Sequence, residues 1–187
     1  MSGEPARCRL YLVAPATPPA DFASILDDVL RAADIACLRL PPLPEMEGIV
    51  RLAQSRGTAV VLDGAIELAA ELGADGVHLL GLAGFDVARR RLGESAIIGV
   101  HCGSSRHAGM EAGEAGADYV SFLADLELVQ WWAEVMVVPV VAELGDALES
   151  AADFVAAGAD FIAAGDALWR QSARAIDLVR GLGTALA

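Results

Sequence analysis

Gly-Ala-Asp followed by an apolar run stands three times in this chain: Gly73 to Asp75 before "GVHLL", Gly116 to Asp118 before "YVSFL", and Gly158 to Asp160 before "FIAAG". The copies start 43 and 42 residues apart, and a weaker copy, Ala32 to Asp34 before "IACLRL", starts 41 residues ahead of the first. Regular spacing of this kind marks a repeated supersecondary unit. Each period holds two strand signals, because a second short β-branched run precedes every copy. These runs are "RLYLVA" (Arg9 to Ala14), "TAVVLD" (Thr58 to Asp63), "AIIGVH" (Ala96 to His101) and "VPVVAE" (Val138 to Glu143). Eight nearly continuous apolar runs read as parallel strands covered on both faces.

Between the runs lie helix-length segments, among them Asp21 to Ala33, Pro44 to Arg56, Asp86 to Gly93 and Gly145 to Ala157. Strict alternation of strand and helix implies right-handed crossovers and a parallel sheet. Eight such units close most naturally into a (β/α)8 barrel, here a small one of about 23 residues per unit with short loops. The expectation is therefore one α/β domain over residues 1–187, a parallel eight-stranded TIM barrel. An open doubly wound sheet is the alternative. Its phosphate fingerprint is missing, since the first strand runs into "APATPPAD" (Ala14 to Asp21). In the barrel, each repeated Gly takes a left-handed helix C-cap, and each Ala is small where helix meets sheet. Each Asp then sits at the N-terminal rim of the barrel, in a structural role through capping and turn bonds.

Composition removes several classes of function. Over half of the residues are apolar, 55%, so a real core is expected. The longest apolar runs are too short for a membrane span, and "MSGEPARCR" lacks the apolar stretch of a signal peptide, so a cytoplasmic protein is expected. Three cysteines, Cys8, Cys37 and Cys102, do not form a disulfide framework. A net charge of −13 argues against nucleic acid and anionic membranes as partners. All 13 basic residues are Arg. The absence of Lys removes Schiff-base, pyridoxal-phosphate and Walker-A chemistry.

Function in such barrels lies at the C-terminal ends of the strands. Period-two alternation turns Cys37, Arg39 and His78 inward, with Leu38, Leu40, Val77 and Leu79 toward the helices. Inward Arg39, Asp63 and His78 form a polar network there, either as a ligand site or as an ion pair of Arg39 with Asp63 or Glu143. No metal is expected, because the one close pair, His101 and Cys102, is adjacent on a strand and faces opposite sides. Ser104 or Ser105 caps the helix that carries His107, which then lies on the surface. Of Trp131 and Trp132, one packs in the barrel wall and the other marks a dimer contact. Asp146 and Glu149 have capping-box spacing on the seventh helix, and Asp166 is placed to cap the eighth.

The stretches "ELGADGVHLL", "AIIGVHCGSSRHAGMEAGEAGADYVSF" and "VVPVVAELGDALESAADFVAAGADFIAAG" resemble thiamine-phosphate synthases and the related thiazole tautomerases, in order and over nearly the whole chain. The resemblance implies a (β/α)8 barrel, a role in thiamine biosynthesis and pairing as a homodimer. It also implies a reaction in which a hydroxymethylpyrimidine diphosphate joins a thiazole phosphate with Mg2+ and releases diphosphate. Several motif positions differ. The family's second-strand Q-L-R-E-K is Cys37-Leu38-Arg39-Leu40-Pro41. Its third-strand N-D is Asp63-Gly64. Its H-L-G-Q-x-D is "HLLGLAG" (His78 to Gly84), and its G-x-S-x-H is Gly99 to Gly103. The Thr- and Lys-bearing loop after strand six is "LADLEL" (Leu123 to Leu128). The Gly-Gly after strand seven is Leu144-Gly145. Neither a catalytic residue nor a cofactor is assigned. The candidate ligand residues are Arg39, Asp63, His78, His101, Ser121, Gly145 and Gly165, and the expected ligand is a thiamine precursor. Three roles follow: a divergent family member tied to thiamine metabolism that binds a thiamine-related or other ligand by a changed site, a non-catalytic paralogue acting as a partner or regulator of a true synthase, or an enzyme of unrelated chemistry using Asp63, His78 or His101 as acid and base.

Overall fold

The computed structural model describes residues 7–170 and 174–186. Its strands are β1 (Arg9–Val13), β2 (Ile35–Leu40), β3 (Ala59–Asp63), β4 (Gly76–Leu79), β5 (Ile97–His101), β6 (Tyr119–Leu123), β7 (Val140–Glu143) and β8 (Phe161–Ala164). They pair in parallel in chain order, and β8 pairs back to β1, so the sheet closes into the expected barrel rather than an open sheet. The helices are α1 (Phe22–Ala32), α2 (Glu47–Ser55), α3 (Ile66–Leu72), α4 (Phe85–Leu92), α5 (Arg106–Glu114), α6 (Leu126–Val135), α7 (Ala151–Ala156), α8 (Asp166–Trp169) and α9 (Ala175–Ala185). Among the described residues no helix is long and apolar enough to cross a membrane.

Alternation along the strands sorts the apolar residues into two bodies. Leu38, Leu62, Val77, Ile98, Val120 and Ile162 point outward and pack under the helices. Tyr11, Cys37, Val61, Tyr119, Val141 and Ala163 fill the barrel interior. Helix α1 shows why the outer layer forms. Phe22, Leu26, Val29 and Leu30 are buried at helical spacing while intervening positions stay polar, and each fully buried side chain of this size contributes about 1.5–3 kcal/mol. Trp132 on α6 is fully buried in the wall and donates its indole N–H to the Val138 carbonyl at 2.7 Å. Trp131 is half-buried under the Arg106 guanidinium, 4.5 Å from its ring centre.

The repeated Gly-Ala-Asp units each make the same junction. Gly73, Gly116 and Gly158 have φ of 67°, 89° and 93°, the left-handed conformation that ends a helix cheaply only in glycine. The aspartates neither cap a helix nor close a turn. Asp75 accepts the backbone N–H of Val60 at 2.7 Å, Asp118 that of Ile98 at 2.8 Å, and Asp160 that of Val140 at 2.8 Å. Each backbone N–H of the same three aspartates donates to the carbonyl of the very residue its carboxylate serves. The carboxylate thus ties the start of an odd strand to the even strand that follows it. In the weaker copy, Asp34 instead holds the Arg9 guanidinium through two bonds of 3.1 and 2.8 Å.

Two capping expectations are corrected. Asp146 and Glu149 form no capping box, because residues Leu148–Ser150 make a 3-10 turn before α7, and Asp146 pairs with Arg170 instead. Asp166 is the first residue of α8 rather than its cap, which is Gly165. Ser105 does cap α5, accepting the Ala108 N–H at 3.1 Å.

Asp160→Ala leaves the Val140 N–H without its acceptor and is expected to lower the unfolding free energy by about 1–3 kcal/mol, whereas Asp160→Asn, which keeps an acceptor oxygen, is expected to cost less than about 1 kcal/mol. Urea unfolding followed by circular dichroism reads both.

Candidate functional site

The C-terminal ends of the strands carry a contiguous polar floor. Arg39 from β2, Asp63 from β3, His78 from β4, His101 from β5, Ser121 from β6 and Glu143 from β7 all point inward. Their convergence follows from alternation: each stands two residues beyond an interior packing residue or glycine, such as Cys37 before Arg39, Val61 before Asp63 and Val141 before Glu143.

Glu143 is the hub. Arg39 donates Nη1–H to Glu143 Oε1 at 3.1 Å. His101 Nδ1 lies 3.3 Å from the same oxygen and 3.0 Å from Ser121 Oγ. His78 Nε2 stands 3.8 Å from it, too far for a hydrogen bond. Arg39 Nε is 3.3 Å from Asp63 Oδ1 but without hydrogen-bond geometry. Both ion-pair partners foreseen for Arg39 are therefore engaged at once. On the interior side, His78 Nδ1 is 2.9 Å from Tyr119 Oη, which is 2.8 Å from Tyr11 Oη.

Tyr119 reaches His78 only because residue 99 is glycine. A Cβ there would lie 1.9 Å from the Tyr119 ring. Tyr11, Tyr119 and Glu143 were not among the candidates taken from the sequence. Ser121 was a candidate by its place at the end of β6, and alternation places Tyr119 inward one step below it. Glu143 was visible only as a possible partner of Arg39.

Burial and charge set the protonation of the floor. Burial works to neutralise Glu143, but the His101 hydrogen bond and the Arg39 charge prevail and hold its carboxyl down to about 2. Burial, reinforced by Arg39, pushes His78 down to about 3, so its imidazole is neutral. Burial raises Asp63 against the pull of Arg39. Burial also lowers the Arg39 value, yet Glu143 and the other acidic neighbours more than offset this and its pKa is raised. The cysteines are poor nucleophiles: burial pushes Cys37 up to about 12 and Cys102 up to about 11. As expected, His101 faces the interior while Cys102 packs outward against the helices.

The remaining candidates lie at the rim. Gly145 follows β7 with φ of 58°, and Gly165 is the N-cap of α8, where a Cβ would meet Val13 at 3.5 Å. His107 is exposed on α5 beside Glu111. Other openings lie away from this floor. A cleft of about 610 Å³ is lined by Arg7, Arg9, Asp34 and Arg180 at the N-terminal end, and a cavity of about 230 Å³ sits beneath Tyr11 and Tyr119. Neither contains the polar floor, and barrels of this kind do their chemistry at the other end.

Glu143→Leu strands the Arg39 charge with Asp63 alone and is expected to cost about 3 kcal/mol or more, while Arg39→Met combined with Glu143→Leu removes both charges and is expected to cost less than the single change. Denaturant melts of the three proteins decide this.

The family model for thiamine monophosphate synthase matches residues 10–168. The chain is 43% identical over 180 residues to the thiamine-phosphate synthase of Rhodospirillum centenum, covering 80% of this chain and 86% of that one. It is 37% identical over 199 residues to the thiamine-phosphate synthase of Hyphomonas neptunium, covering 87% and 86%. In structure it is similar to the thiamine phosphate pyrophosphorylase from Pyrococcus furiosus, with a TM-score of 0.80, 22% identity and coverage of 97% and 98%, a likeness of fold. A match over most of the chain and identities of this size place the protein in the thiamine monophosphate synthase family.

Proposed function

We propose that this chain serves thiamine biosynthesis by binding a thiamine precursor over the polar floor, and that it transfers the pyrimidine group from its diphosphate far more slowly than an ordinary family synthase. Family membership supports the pathway and the mouth of the barrel as the place of binding. The floor is open enough to receive a ligand: the Asp63 side chain is 43% exposed and that of His101 22%.

One observation carries the reduced rate. The groups that would stabilise a departing diphosphate are missing from the positions where the resemblance puts them. Gly64 replaces a metal carboxylate at φ of 61° with open space around it. The loop Gly81 to Gly84 offers no carboxylate for Mg2+, and the chain has no Lys. The carboxylates that remain on the floor, Asp63 and Glu143, both stand beside the Arg39 guanidinium. Mg2+ wants near-octahedral oxygen ligands, and these residues do not fit it at the family position. Arg39 in turn is neutralised by its own carboxylates and has little charge left for a diphosphate.

Loss of one electrostatic donor to a transition state costs on the order of 10²–10³ in rate. Several losses together are expected to leave little, although they do not add. With hydroxymethylpyrimidine diphosphate, thiazole phosphate and Mg2+, turnover is expected at least about 10³-fold below that of an ordinary synthase. In thermal-shift titration at least one of these precursors is expected to raise the melting temperature. Ordinary turnover, or clean rescue of a thiamine-requiring strain, overturns the rate claim. No shift with any thiamine precursor overturns the ligand claim.

A second reading has its own observation. The unpartnered His78 Nε2 in a partly open polar floor suits altered chemistry better than a purely structural plug. The homodimer is also a proposal, resting on the resemblance and on exposed Leu126, Val135 and Val137 on and after α6. Sedimentation at high concentration that finds monomer alone counts against it.

A further inference from the structure

Buried polar atoms without partners are few in folded proteins, and each calls for a cause. His78 Nε2 is such an atom: the side chain is 1% exposed, its Nδ1 is held by Tyr119, and Nε2 is aimed at Glu143 Oε1 across 3.8 Å with nothing bonded to it. If Nδ1 donates to Tyr119, two acceptors face one another. If Nε2 carries the proton, its N–H is buried without an acceptor. Neither tautomer satisfies the site. His101 completes a triangle. One donor atom each from His78, His101 and Glu143 lies within 4.8 Å of the others, with His101 Nδ1 at 3.3 Å from Glu143 Oε1.

From this geometry we infer that His78, His101 and Glu143 form a binding site for a late first-row transition-metal dication, Zn2+ by its donor set, with the remaining position open to the barrel mouth. Bonds of about 2.0–2.1 Å to nitrogen and oxygen set tetrahedral ligand separations near 3.4 Å, so the two edges at 3.3 and 3.8 Å require only sub-ångström closure, and the edge between the histidines, which is within 4.8 Å, closes by a side-chain adjustment of about 1.4 Å at most. Two imidazoles and one carboxylate are the ligands of catalytic zinc, whereas Mg2+ prefers oxygen alone. The surroundings suit the role. Tyr119 Oη holds the far nitrogen of His78 and fixes the ring, as outer partners of metal-bound histidines do. Arg39 has Asp63 to turn to when Glu143 gives an oxygen to the cation. Asp63 and Glu143 against Arg39 leave one negative charge in excess on the floor, which favours a dication. The spacing of the histidines in the sequence carries no such signal, because β7 adjoins neither β4 nor β5 and Glu143 meets the two histidines only across the interior of the closed barrel. This site is separate from the carboxylate positions by which the family resemblance implies Mg2+. Its occupancy does not depend on which precursor binds above it.

The test uses the full chain, stripped with a chelator and titrated without substrate. Zn2+ is expected to bind with one equivalent by calorimetry. Co2+ is expected to give the intense visible bands of four- or five-coordination, without a thiolate charge-transfer band, and Mg2+ is expected to give neither heat nor stabilisation. His78→Asn and His101→Asn should each weaken Zn2+ by more than about 100-fold, beyond the loss typical of an outer-shell partner. Glu143→Gln should weaken it by at least about 10-fold, and His107→Ala, which removes the exposed His–Glu pair on α5, should change nothing. Absence of Zn2+ heat and Co2+ bands in the folded chain overturns the site. So does binding that survives both histidine variants, binding lost in His107→Ala, or a thiolate band pointing to Cys37 or Cys102. If a histidine variant fails to fold, the Co2+ spectrum of the unaltered chain decides alone, and weak six-coordinate bands overturn the inference.

Discussion

Pairing of β8 with β1 removes both edges of the sheet, and the rest of the molecule depends on that closure. In a closed barrel every strand must start at the right height, because stagger and tilt are linked around the ring. Three aspartates see to this at the N-terminal rim. Asp75, Asp118 and Asp160 each exchange two hydrogen bonds with the first residues of the preceding odd strand, one through the backbone and one through the carboxylate. A helix ended by glycine in the left-handed conformation delivers each aspartate to its place. The repeat in the chain is therefore a repeat of one junction, and Asp118 adds a bond from Arg89 that fastens α4 to the same rim.

The opposite end is built under a different constraint. Closure makes the interior narrow, so side chains from different strands meet near the axis, and any charge among them must find its partner there. Arg39 is such a charge. It is answered by Glu143 and Asp63 from opposite sides, and Glu143 in turn gathers His101 and faces His78. Below them Tyr119 and Tyr11 carry the hydrogen bonding down toward the apolar centre, across the space left by Gly99. A network of this kind is stiff, because moving one member leaves another unsatisfied in a low-dielectric setting.

The two ends stand differently toward the family pattern. The Gly-Ala-Asp junctions lie in the stretches that carry the resemblance. At the mouth, Gly64, the loop after β4 and Leu144 stand where the resemblance places metal, diphosphate and phosphate ligands, while Glu143 brings a carboxylate to the axis. The result is a floor poor in groups for oxyanions and rich in nitrogen and carboxylate donors. The low rate of diphosphate transfer proposed for this chain rests on that exchange.

The sequence by itself determined the barrel, because its signals are local and repeated: alternation within each strand, helical spacing in segments such as α1, and a Gly-Ala-Asp junction that recurs at nearly constant distance. Alternation turned Cys37, Arg39 and His78 inward, with Asp63 beside them, and His101 and Ser121 were legible as strand-end residues at the same mouth. The cap at Ser105 was legible too, whereas the Asp146–Glu149 box was not, since a 3-10 turn and the Arg170 guanidinium compete for that segment. Only the tertiary structure decided that Glu143 is the centre of the floor, that Tyr119 holds His78, and that His78 Nε2 is left without a partner. Those relations join residues 41 to 104 positions apart across strands whose meeting depends on closure and stagger, and no pattern along the chain encodes a distance of that kind.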